Sequence, residues 1–420
     1  AADRRRGPGG RPAALGHGDR VDQVRAELDR AFHYARGKFI QATERVAGHA
    51  EARARLADLH WTRYREARAA TRNREAEEHL KALARFQDQA AAQRLRREVP
   101  LTLRTDPDGA RVSLHPVAER DRVLTPGAAR DLGRTPLEGV PIPTGRQLLV
   151  IEAPGRRPVR VPLLVWPGDE PTFDLPIPSE AALGGDFVYV PAGRFVRGND
   201  PQAVLANPAG LVHVDAFAIQ RFPVTVAEYF AFLDSLPPAQ AKAHQPREAR
   251  GGPLFPPPPD GRWRVGMVDV DGDVWPGEWA ICAISFHDAE AYAAWRSARD
   301  GARYRLPTED EWEKAARGTD GRRFPWGDHF HPSFCSNRTA PGPVIPQAVG
   351  HYPTDRSPYG VRDMAGGVRE WNDAWFEAGQ RVVRGGAFSL YPVFCRVAGR
   401  WGSGPRATQA NYGFRLVKVL

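Results

Sequence analysis

The sequence predicts an α+β protein of several domains: helical hairpins at the N-terminus, a small β-sandwich, and a larger C-terminal domain. Three observations favour this. The length of 420 residues exceeds what one compact core normally organises. Residues 20–97 contain no Pro and are rich in Ala, Arg, Glu and Leu, whereas short alternating apolar stretches follow from Pro100 onward. From about residue 185 the chain becomes rich in Gly, Trp and Pro.

The composition excludes several classes of protein. Hydrophobic residues make up 42% of the chain, with 11 Trp and 19 Phe, which excludes general disorder. The net charge is +9, but the arginines are scattered among Asp and Glu, so we expect no specific nucleic-acid partner. No run of about 18 apolar residues occurs, and we therefore expect no membrane span in this chain.

The first residues, AADRRRGPGG, contain neither an initiator Met nor the apolar core of a signal peptide. We interpret the chain as a piece of a longer protein, with a disordered start over residues 1–19. Residues 20–97 are predicted to be a helical spacer, with a partner-binding helical array as the alternative. Apolar residues spaced by three and four predict its helix faces: Val21, Val24, Leu28 and Phe32, then Leu56 and Leu59, then Leu80 and Leu83.

Residues 98–180 alternate apolar and polar side chains between Pro and Gly turns, which is typical of short antiparallel strands. Two motifs stand out, DPDGARV at 106–112 and GRTPLEGV at 133–140. The region resembles the small PEGA-type β-domain, whose signature combines a PxGAxV strand start with GxTPL. Because Gly and Pro set turn geometry, the motif indicates a fold and no chemistry.

Residues 185–420 carry several motifs in a characteristic order. They are GDFVYVPAGRF at 185–195, YRLPTEDEWEKAARG at 304–318, DMAGGVREW at 363–371, RVVRGGAF at 381–388 and NYGFRLV at 411–417. Together they resemble the formylglycine-generating enzyme (sulfatase-modifying factor) family, and the resemblance covers over half of the chain. It implies a C-type-lectin-like fold.

Local signals within this region predict helices and core residues. Thr225 with Glu228, and Thr308 with Glu311, have the spacing of capping boxes at helix N-termini. Tryptophans in the irregular stretches are predicted to fill the core: Trp326, Trp371 and Trp375.

The resemblance implies an oxidase that converts a cysteine of its substrate to formylglycine with copper(I), held by two cysteines near the C-terminus. In this sequence Cys395 stands at the second cysteine position, while Leu390 replaces the first and Ala387 replaces a serine. One thiolate cannot form the two-thiolate clamp that Cu(I) favours. Cys282 or Cys335 can supply the second thiol only if the fold places it beside Cys395. The sequence therefore predicts a non-catalytic module without a cofactor, with a copper-dependent oxidase using Cys395 as the alternative.

The same resemblance raises two further metals, calcium and iron. Asn337 and Glu370 match positions that bind structural calcium in the family. Gly367 and Arg369 replace neighbouring residues, so an oxygen ligand is lost and the positive charge of Arg369 disfavours binding of Ca²⁺. The alternative for Glu370 is a salt bridge to a nearby arginine. The family's sulfoxide-synthase relatives bind iron through two histidines and a glutamate, a pattern that the N-terminal histidines do not show: His33, His49, His60 and His79.

Between RGG and GFR the chain carries aromatic and arginine side chains of the kind found in binding hot spots. We predict a protein, peptide or small ligand at this C-terminal face, bound by Tyr391, Arg396, Arg400, Trp401 and Arg406. Alternation along residues 393–397 would bury every second side chain of a strand there, and we expect Tyr391, Arg400 and Trp401 to lie at the surface. The Pro-rich insertion at 245–263 is expected to form a surface loop near the same face.

The order of helical spacer, PEGA-like domain and formylglycine-generating-enzyme-like domain resembles the C-terminal half of some bacterial Ser/Thr protein kinases. The resemblance implies a regulatory sensor, cytoplasmic or, if a membrane span lies upstream, extracytoplasmic. No kinase motif occurs within these 420 residues, so the phosphotransfer link rests on the resemblance alone.

Overall fold

A computed structural model describes residues 17–45, 49–85 and 95–420. The chain divides into two compact units, Ala1–Leu95 and Arg96–Leu420. Among the helices of the described residues, none is long and apolar enough to cross a membrane.

The described part of the first unit consists of three helices: α1 (His17–Arg45), α2 (Ala50–Ala69) and α3 (Asn73–Leu83). Helix α1 packs against α2, and α2 packs against α3. Of the predicted apolar faces, Leu56 on α2 and Leu83 on α3 are buried. A disordered start is predicted for residues 1–19. Residues 1–16 lie outside the described residues, and residues 17–19 form the beginning of α1.

The predicted apolar face of α1 is only partly correct. Phe32 is buried, but Val24 and Leu28 are about half exposed, and the side chain of Val21 lies outside the described set. The physical reason is length: at about 1.5 Å per residue, α1 is roughly 14 Å longer than α2. Its first turns are therefore left uncovered by the described helices.

The region from residue 96 to 179, called the β-region below, contains eight strands. They are β1 (Glu98–Asp106), β2 (Arg111–Arg120), β3 (Val123–Pro126), β4 (Arg130–Arg134), β5 (Leu137–Pro143), β6 (Gly145–Glu152), β7 (Val159–Val165) and β8 (Thr172–Pro176). One sheet has the order β5-β1-β8 and the other the order β3-β2-β6-β7, with β4 also paired to β2. Alternate residues of β1 and β2, such as Leu101 and Val112, are fully buried in one shared core.

Residues 180–420, called the C-terminal domain below, mix short helices and strands. The helices are α4 (Glu180–Leu183), α5 (Val226–Asp234), α6 (Pro238–His244), α7 (Phe286–Asp300) and α8 (Glu309–Arg317). The strands are β9 (Phe187–Val190), β10 (Gly193–Arg197), β11 (Gly210–Val214), β12 (Phe217–Gln220), β13 (Tyr304–Arg305), β14 (Arg369–Glu377), β15 (Gln380–Arg384), β16 (Arg400–Ser403), β17 (Tyr412–Gly413) and β18 (Val417–Lys418). Their sheets have the orders β13-β18-β12-β9, β16-β15-β14-β17 and β10-β11.

Both predicted capping boxes are confirmed. The side chain of Thr225 accepts from the backbone of Glu228 at the start of α5, and Thr308 does the same with Glu311 at the start of α8. Gly318 ends α8 with a φ of 71°, a left-handed value that glycine adopts without strain.

Of the three predicted core tryptophans, Trp326 and Trp371 are buried, but Trp375 is 57% exposed. Trp375 lies in a strand and not in an irregular stretch, and the pairing of β14 with β15 changes register between Trp371 and Trp375. The ring of Trp375 lies against the guanidinium of Arg381 instead, 3.9 Å from ring centre to Cζ.

The β-region and the C-terminal domain share a core. Leu183, Phe187 and Tyr189 pack in the same cluster as Leu101 and Val161 of the β-region. Apolar side chains of α4 and β9 therefore close the inner face of the sandwich, and residues 96–420 fold as one unit.

Candidate functional site

The RGG turn after β15 needs glycine because the backbone passes close to buried groups. Gly385 has a φ of 82°, in the left-handed region. A Cβ on Gly386 would lie 2.5 Å from the carbonyl oxygen of Ala365 and 2.9 Å from Sγ of Cys395. The two glycines thus bring the start of the predicted ligand segment directly against the Cys395 thiol.

The segment that contains Cys395 is a 3-10 helix, Pro392–Cys395, and not the alternating strand expected from residues 393–397. Pro392 stands in its first turn, where the fixed φ of proline suits a helix and its missing N–H removes no bond. This geometry turns Cys395 into the core, while Val393 is exposed.

The structure brings Cys335 against Cys395, which the sequence left open. Both thiols are completely buried, in a cluster with Phe324 and Trp326. Burial, followed by the neighbouring Cys395 thiol, raises the pKa of the Cys335 thiol. The amide of Asn337 lies 3.8 Å from Sγ of Cys335. A pair of soft donors therefore exists, although the family's first cysteine position is Leu390.

A cavity of about 410 Å³ is lined in part by the segment between RGG and GFR, and we call it the Phe388 cavity. Its apolar walls include Trp275, Trp279 and Phe388, and Gln409 and Ala410 close one side. The remaining walls come from residues 247–254, 269–274, 282–283 and 345–346. The Pro-rich insertion thus borders the same face as the segment between RGG and GFR, as expected.

Asp269 holds the wall that carries Trp275. Its Oδ1 accepts from the backbone N–H groups of Asp271 and Asp273, at 3.0 and 2.9 Å, and its Oδ2 accepts from Nε1 of Trp275 at 2.9 Å. The carboxylates of Asp271 and Asp273 are left exposed at the cavity. Arg247, the one arginine among the described lining residues, forms an ion pair with Asp288. The free charge at the cavity is therefore negative.

Cys282 also lines this cavity, but it is a structural thiol. Burial raises its pKa to about 12, so the thiol stays protonated at neutral pH and is a poor nucleophile. It lies away from the Cys335–Cys395 cluster, in the core built around α5 and α7. The next residue, Ala283, has a φ of 59°, a strained value for a residue with a side chain.

The five residues predicted to bind ligand divide into two groups. Tyr391, Trp401 and Arg406 are exposed. Arg396 is paired with Asp200 at 2.7 Å and Arg400 with Glu309 at 3.1 Å. Our expectation that Arg400 is a surface residue is wrong, because Glu309 on α8 draws its guanidinium inward and leaves the side chain 15% exposed. None of the five lines the Phe388 cavity.

Sequence reasoning missed Trp275 and Trp279. Both lie in a segment outside the family motifs, so no motif marked them. The stretch VDVDGDVW at 268–275 contained a usable signal, since Asp and Gly in alternation with apolar residues favour a tight turn that presents an aromatic side chain.

The residues predicted to bind calcium do not fit a calcium site. Glu370 is fully buried, and both carboxylate oxygens accept from Arg415, at 2.7 and 2.8 Å. Oε2 also accepts from Nε1 of Trp312. The side-chain oxygen of Asn337 accepts from Thr339. The salt bridge considered as the alternative for Glu370 is therefore the arrangement present.

In the helical unit, His60 and His79 approach through their Nδ1 atoms at 3.1 Å. Burial, and then the neighbouring His79, lower the pKa of His60 to about 4. Within the described residues, no group of three or more His, Cys, Asp or Glu side chains is arranged to hold a metal ion.

Comparison with known proteins agrees with the motifs. Residues 172–420 match the family described as "Sulfatase-modifying factor enzyme 1-like domain", and because this is over half of the chain, the chain belongs to that family. Inactive C-alpha-formylglycine-generating enzyme 2 of Mus musculus is 31% identical over 292 residues, 60% of this chain and 91% of that protein. Formylglycine-generating enzyme of Thermomonospora curvata is 29% identical over 306 residues, covering 58% and 98%.

The name of a third relative states a different activity. Hercynine oxygenase of Mycolicibacterium smegmatis is 33% identical over 288 residues, which is 59% of this chain and 65% of that protein. The chain thus spans less than two thirds of the length of this relative. The family includes proteins with more than one activity, and at least one that is described as inactive.

Proposed function

We propose that the C-terminal domain is a recognition module that binds a protein segment, peptide or small ligand in the Phe388 cavity without oxidising it. One observation carries this proposal: the cavity and the paired thiols are separate. Phe388 lines the cavity, whereas Cys395 is completely buried and is not among the lining residues. A ligand in the cavity meets aromatic rings, carboxylates and the protonated thiol of Cys282.

The chemistry of the walls favours a ligand that combines positive charge with apolar surface. Trp275, Trp279 and Phe388 offer ring faces, which attract cations as well as apolar groups. Asp271 and Asp273 add negative charge that no lining cation neutralises. The volume of about 410 Å³ suits a few side chains of a peptide or one small molecule.

The wider role that we propose is that of a sensor in a bacterial protein, attached to a Ser/Thr kinase through the PEGA-like β-region. Its support is the order of the three regions and the relation to bacterial family members. The sequence encoded upstream of residue 1 tests this part: a kinase catalytic domain there supports the attachment, and an unrelated domain contradicts it.

Binding in the cavity is tested by fluorescence polarisation of an arrayed library of short Lys- and Arg-containing peptides against the whole chain. We expect peptides that bind and lose at least tenfold in affinity in Phe388→Ala and Trp279→Ala. Trp375→Ala is the matched control, since Trp375 is exposed and does not line the cavity. Peptides that bind equally to all variants, or an absence of binding peptides, would contradict the proposal.

We propose, as a second candidate, a copper-dependent oxidation of a peptidyl cysteine, because one observation favours it: Cys335 supplies the thiol that Leu390 lacks. Cys335 and Cys395 would hold the ion, as two thiols suit Cu(I). Bound copper would supply oxygen activation. The protein's own part would be to keep the two thiols adjacent and dry, among the rings of Phe324 and Trp326.

An anaerobic Cu(I) titration of the purified chain tests this candidate, followed by mass spectrometry of a cysteine peptide incubated with the loaded protein in air. Stoichiometric binding that is lost in Cys335→Ser and in Cys395→Ser, but kept in Cys282→Ser, together with aldehyde product, would support the oxidase. Absence of stoichiometric copper and of product would leave the recognition module.

A further inference from the structure

A second cavity, of about 390 Å³, lies where the β-region meets the C-terminal domain. Five arginines line it, and we call it the arginine cleft: Arg157, Arg160, Arg221, Arg356 and Arg362. The rings of Phe222, Tyr189 and Tyr359 contribute to the remaining walls. No lining residue in the described part of the chain is acidic. The cleft shares no residue with the Phe388 cavity.

Backbone hydrogen bonds hold the arginines side by side. The N–H of Arg362 donates to the carbonyl oxygen of Arg221 at 2.8 Å, and Arg356 forms a β-bridge with Arg362. From the β-region, Nε of Arg160 donates to the carbonyl oxygen of Pro358 at 2.8 Å. The concentration of positive charge is therefore fixed by the fold.

Carboxylates of the described residues compensate only a small part of the charge of the cleft. Arg157 pairs with Glu180, at 3.3 Å. For the other four arginines, no described carboxylate lies within ion-pair distance. Asp186, whose backbone oxygen bonds the N–H of Arg221, directs its carboxylate to Arg296 at 2.6 Å. Among the described residues, four guanidinium groups thus line one cavity without an ion-pair partner.

This crowding has an electrostatic cost. Burial, and then the charge of Arg356, lower the pKa of Arg160 to about 10. Partial burial also lowers the pKa of Arg356, and the charges of Arg362 and Arg221 lower it further. Like charges in a partly dry site repel one another, and a bound anion would relieve that repulsion.

We propose that the arginine cleft binds the phosphoryl group of a small phosphorylated ligand. Guanidinium groups match phosphate oxygens in pairs, through planar forks of N–H donors. The volume accommodates a phosphoryl group with a small organic body, for which the Phe222 and Tyr189 rings provide an apolar side. This site is independent of the ligand proposed for the Phe388 cavity, and either proposal can fail without the other.

Thermal denaturation and calorimetry of the whole chain test the proposal, at constant ionic strength, with inorganic phosphate, O-phosphotyrosine, chloride, or vesicles containing phosphatidic acid. We expect phosphate and O-phosphotyrosine, but not chloride, to raise the melting temperature, because a ligand that binds only the folded state stabilises it. Phosphate acting no better than chloride would overturn the proposal, and so would binding of vesicles without binding of either soluble phosphate.

Variants locate the site. Arg356→Gln and Arg221→Gln each change an exposed arginine of the cleft, and each should weaken O-phosphotyrosine binding at least tenfold. The melting temperature without anion should stay level or rise, since repulsion is removed. Arg194→Gln, at an exposed arginine of β10 outside the cleft, is the matched control and should bind as the unmodified chain does. Equal affinity in all three variants would overturn the assignment.

Discussion

Two neighbouring arginines of the C-terminal domain, Arg415 and Arg362, differ in the groups that their guanidinium groups contact. Arg415 is completely buried, and its guanidinium bonds both carboxylate oxygens of Glu370. It also donates to the carbonyl oxygen of Arg362, at 2.9 Å. The guanidinium of Arg362 donates to the backbone carbonyl oxygens of Gly350 and Tyr352 and lines the arginine cleft.

The difference teaches how to separate scaffold from candidate site. The charge of Arg415 supports the fold and is matched by a carboxylate, because leaving a guanidinium unmatched in a dry interior is expensive. An unmatched charge persists where a cavity admits solvent or a ligand. The family motifs EW at 370–371 and GFR at 413–415 therefore belong to the scaffold, and the unmatched arginines lie outside those two motifs.

The largest effect that would sharpen this comparison is expected at Glu370. Glu370→Gln keeps the shape but leaves Arg415 buried without its counter-charge, and we expect a loss of about 3–5 kcal/mol in the free energy of unfolding. Glu377→Gln, at an exposed glutamate of the same strand, should change it by about 0.5 kcal/mol or less. Chemical denaturation measures both, and similar losses in the two variants would break the comparison.

The same contrast applies to two tryptophans. Trp326 is buried and stacked on Phe324, with ring centres 5.1 Å apart, and Trp326→Ala should cost about 3–5 kcal/mol. Trp401 is 39% exposed and lies 5.5 Å from the guanidinium of Arg369. Trp401→Ala should cost about 1 kcal/mol, the scale of a cation–π contact. If thermal melting shows a steep loss for Trp401→Ala, our assignment of this residue to the surface is wrong.

A smaller effect is expected in the helical unit, where His60 and His79 crowd together. With its pKa lowered to about 4, His60 binds a proton less readily in the folded chain than in the unfolded chain. The stability it contributes is therefore present above pH 6.5 and is lost as the pH falls toward 4. Arg36 and Arg85 act in the same direction on His60, whereas Glu75 opposes the effect at His79.

Because the pair is only about half buried, we expect a loss of about 1 kcal/mol at pH 5 after allowance for solvent screening. Hydrogen exchange of α2 and α3 in the whole chain, at pH 7 and pH 5, measures it. His60→Gln should reduce the difference, and His287→Gln, at an exposed histidine of the C-terminal domain, should not. An unchanged difference in His60→Gln would show that another group titrates.

Local signals predicted local structure well. The capping boxes at Thr225 and Thr308 depend only on residues three apart, and alternation in the β-region depends on the two-residue period of a strand. Two other expectations, both in the C-terminal domain, failed. Trp375 follows a register shift in β14, and Pro392 turns the expected strand at 393–397 into a 3-10 helix.

The candidate sites could be predicted only in part for the same reason. Cys335 and Cys395 are 60 residues apart in the sequence, and nothing in either neighbourhood indicates contact with the other. The walls of the Phe388 cavity come from five separate segments. The arginine cleft needs residues from both the β-region and the C-terminal domain, so no single motif can mark it.

The order of strands in the C-terminal sheet has a consequence for biosynthesis. Strand β18, at Val417–Lys418, lies between β12 and β13. The sheet therefore cannot be completed until these residues have left the ribosome. Arg415, the partner of Glu370, emerges just before them. Strands β9 and β12 are synthesised about 200 residues earlier, and the edge of β12 that pairs with β18 stays unpaired during that time. The nascent domain is thus exposed to aggregation for most of its synthesis, and we expect it to depend on chaperones that cover strand edges.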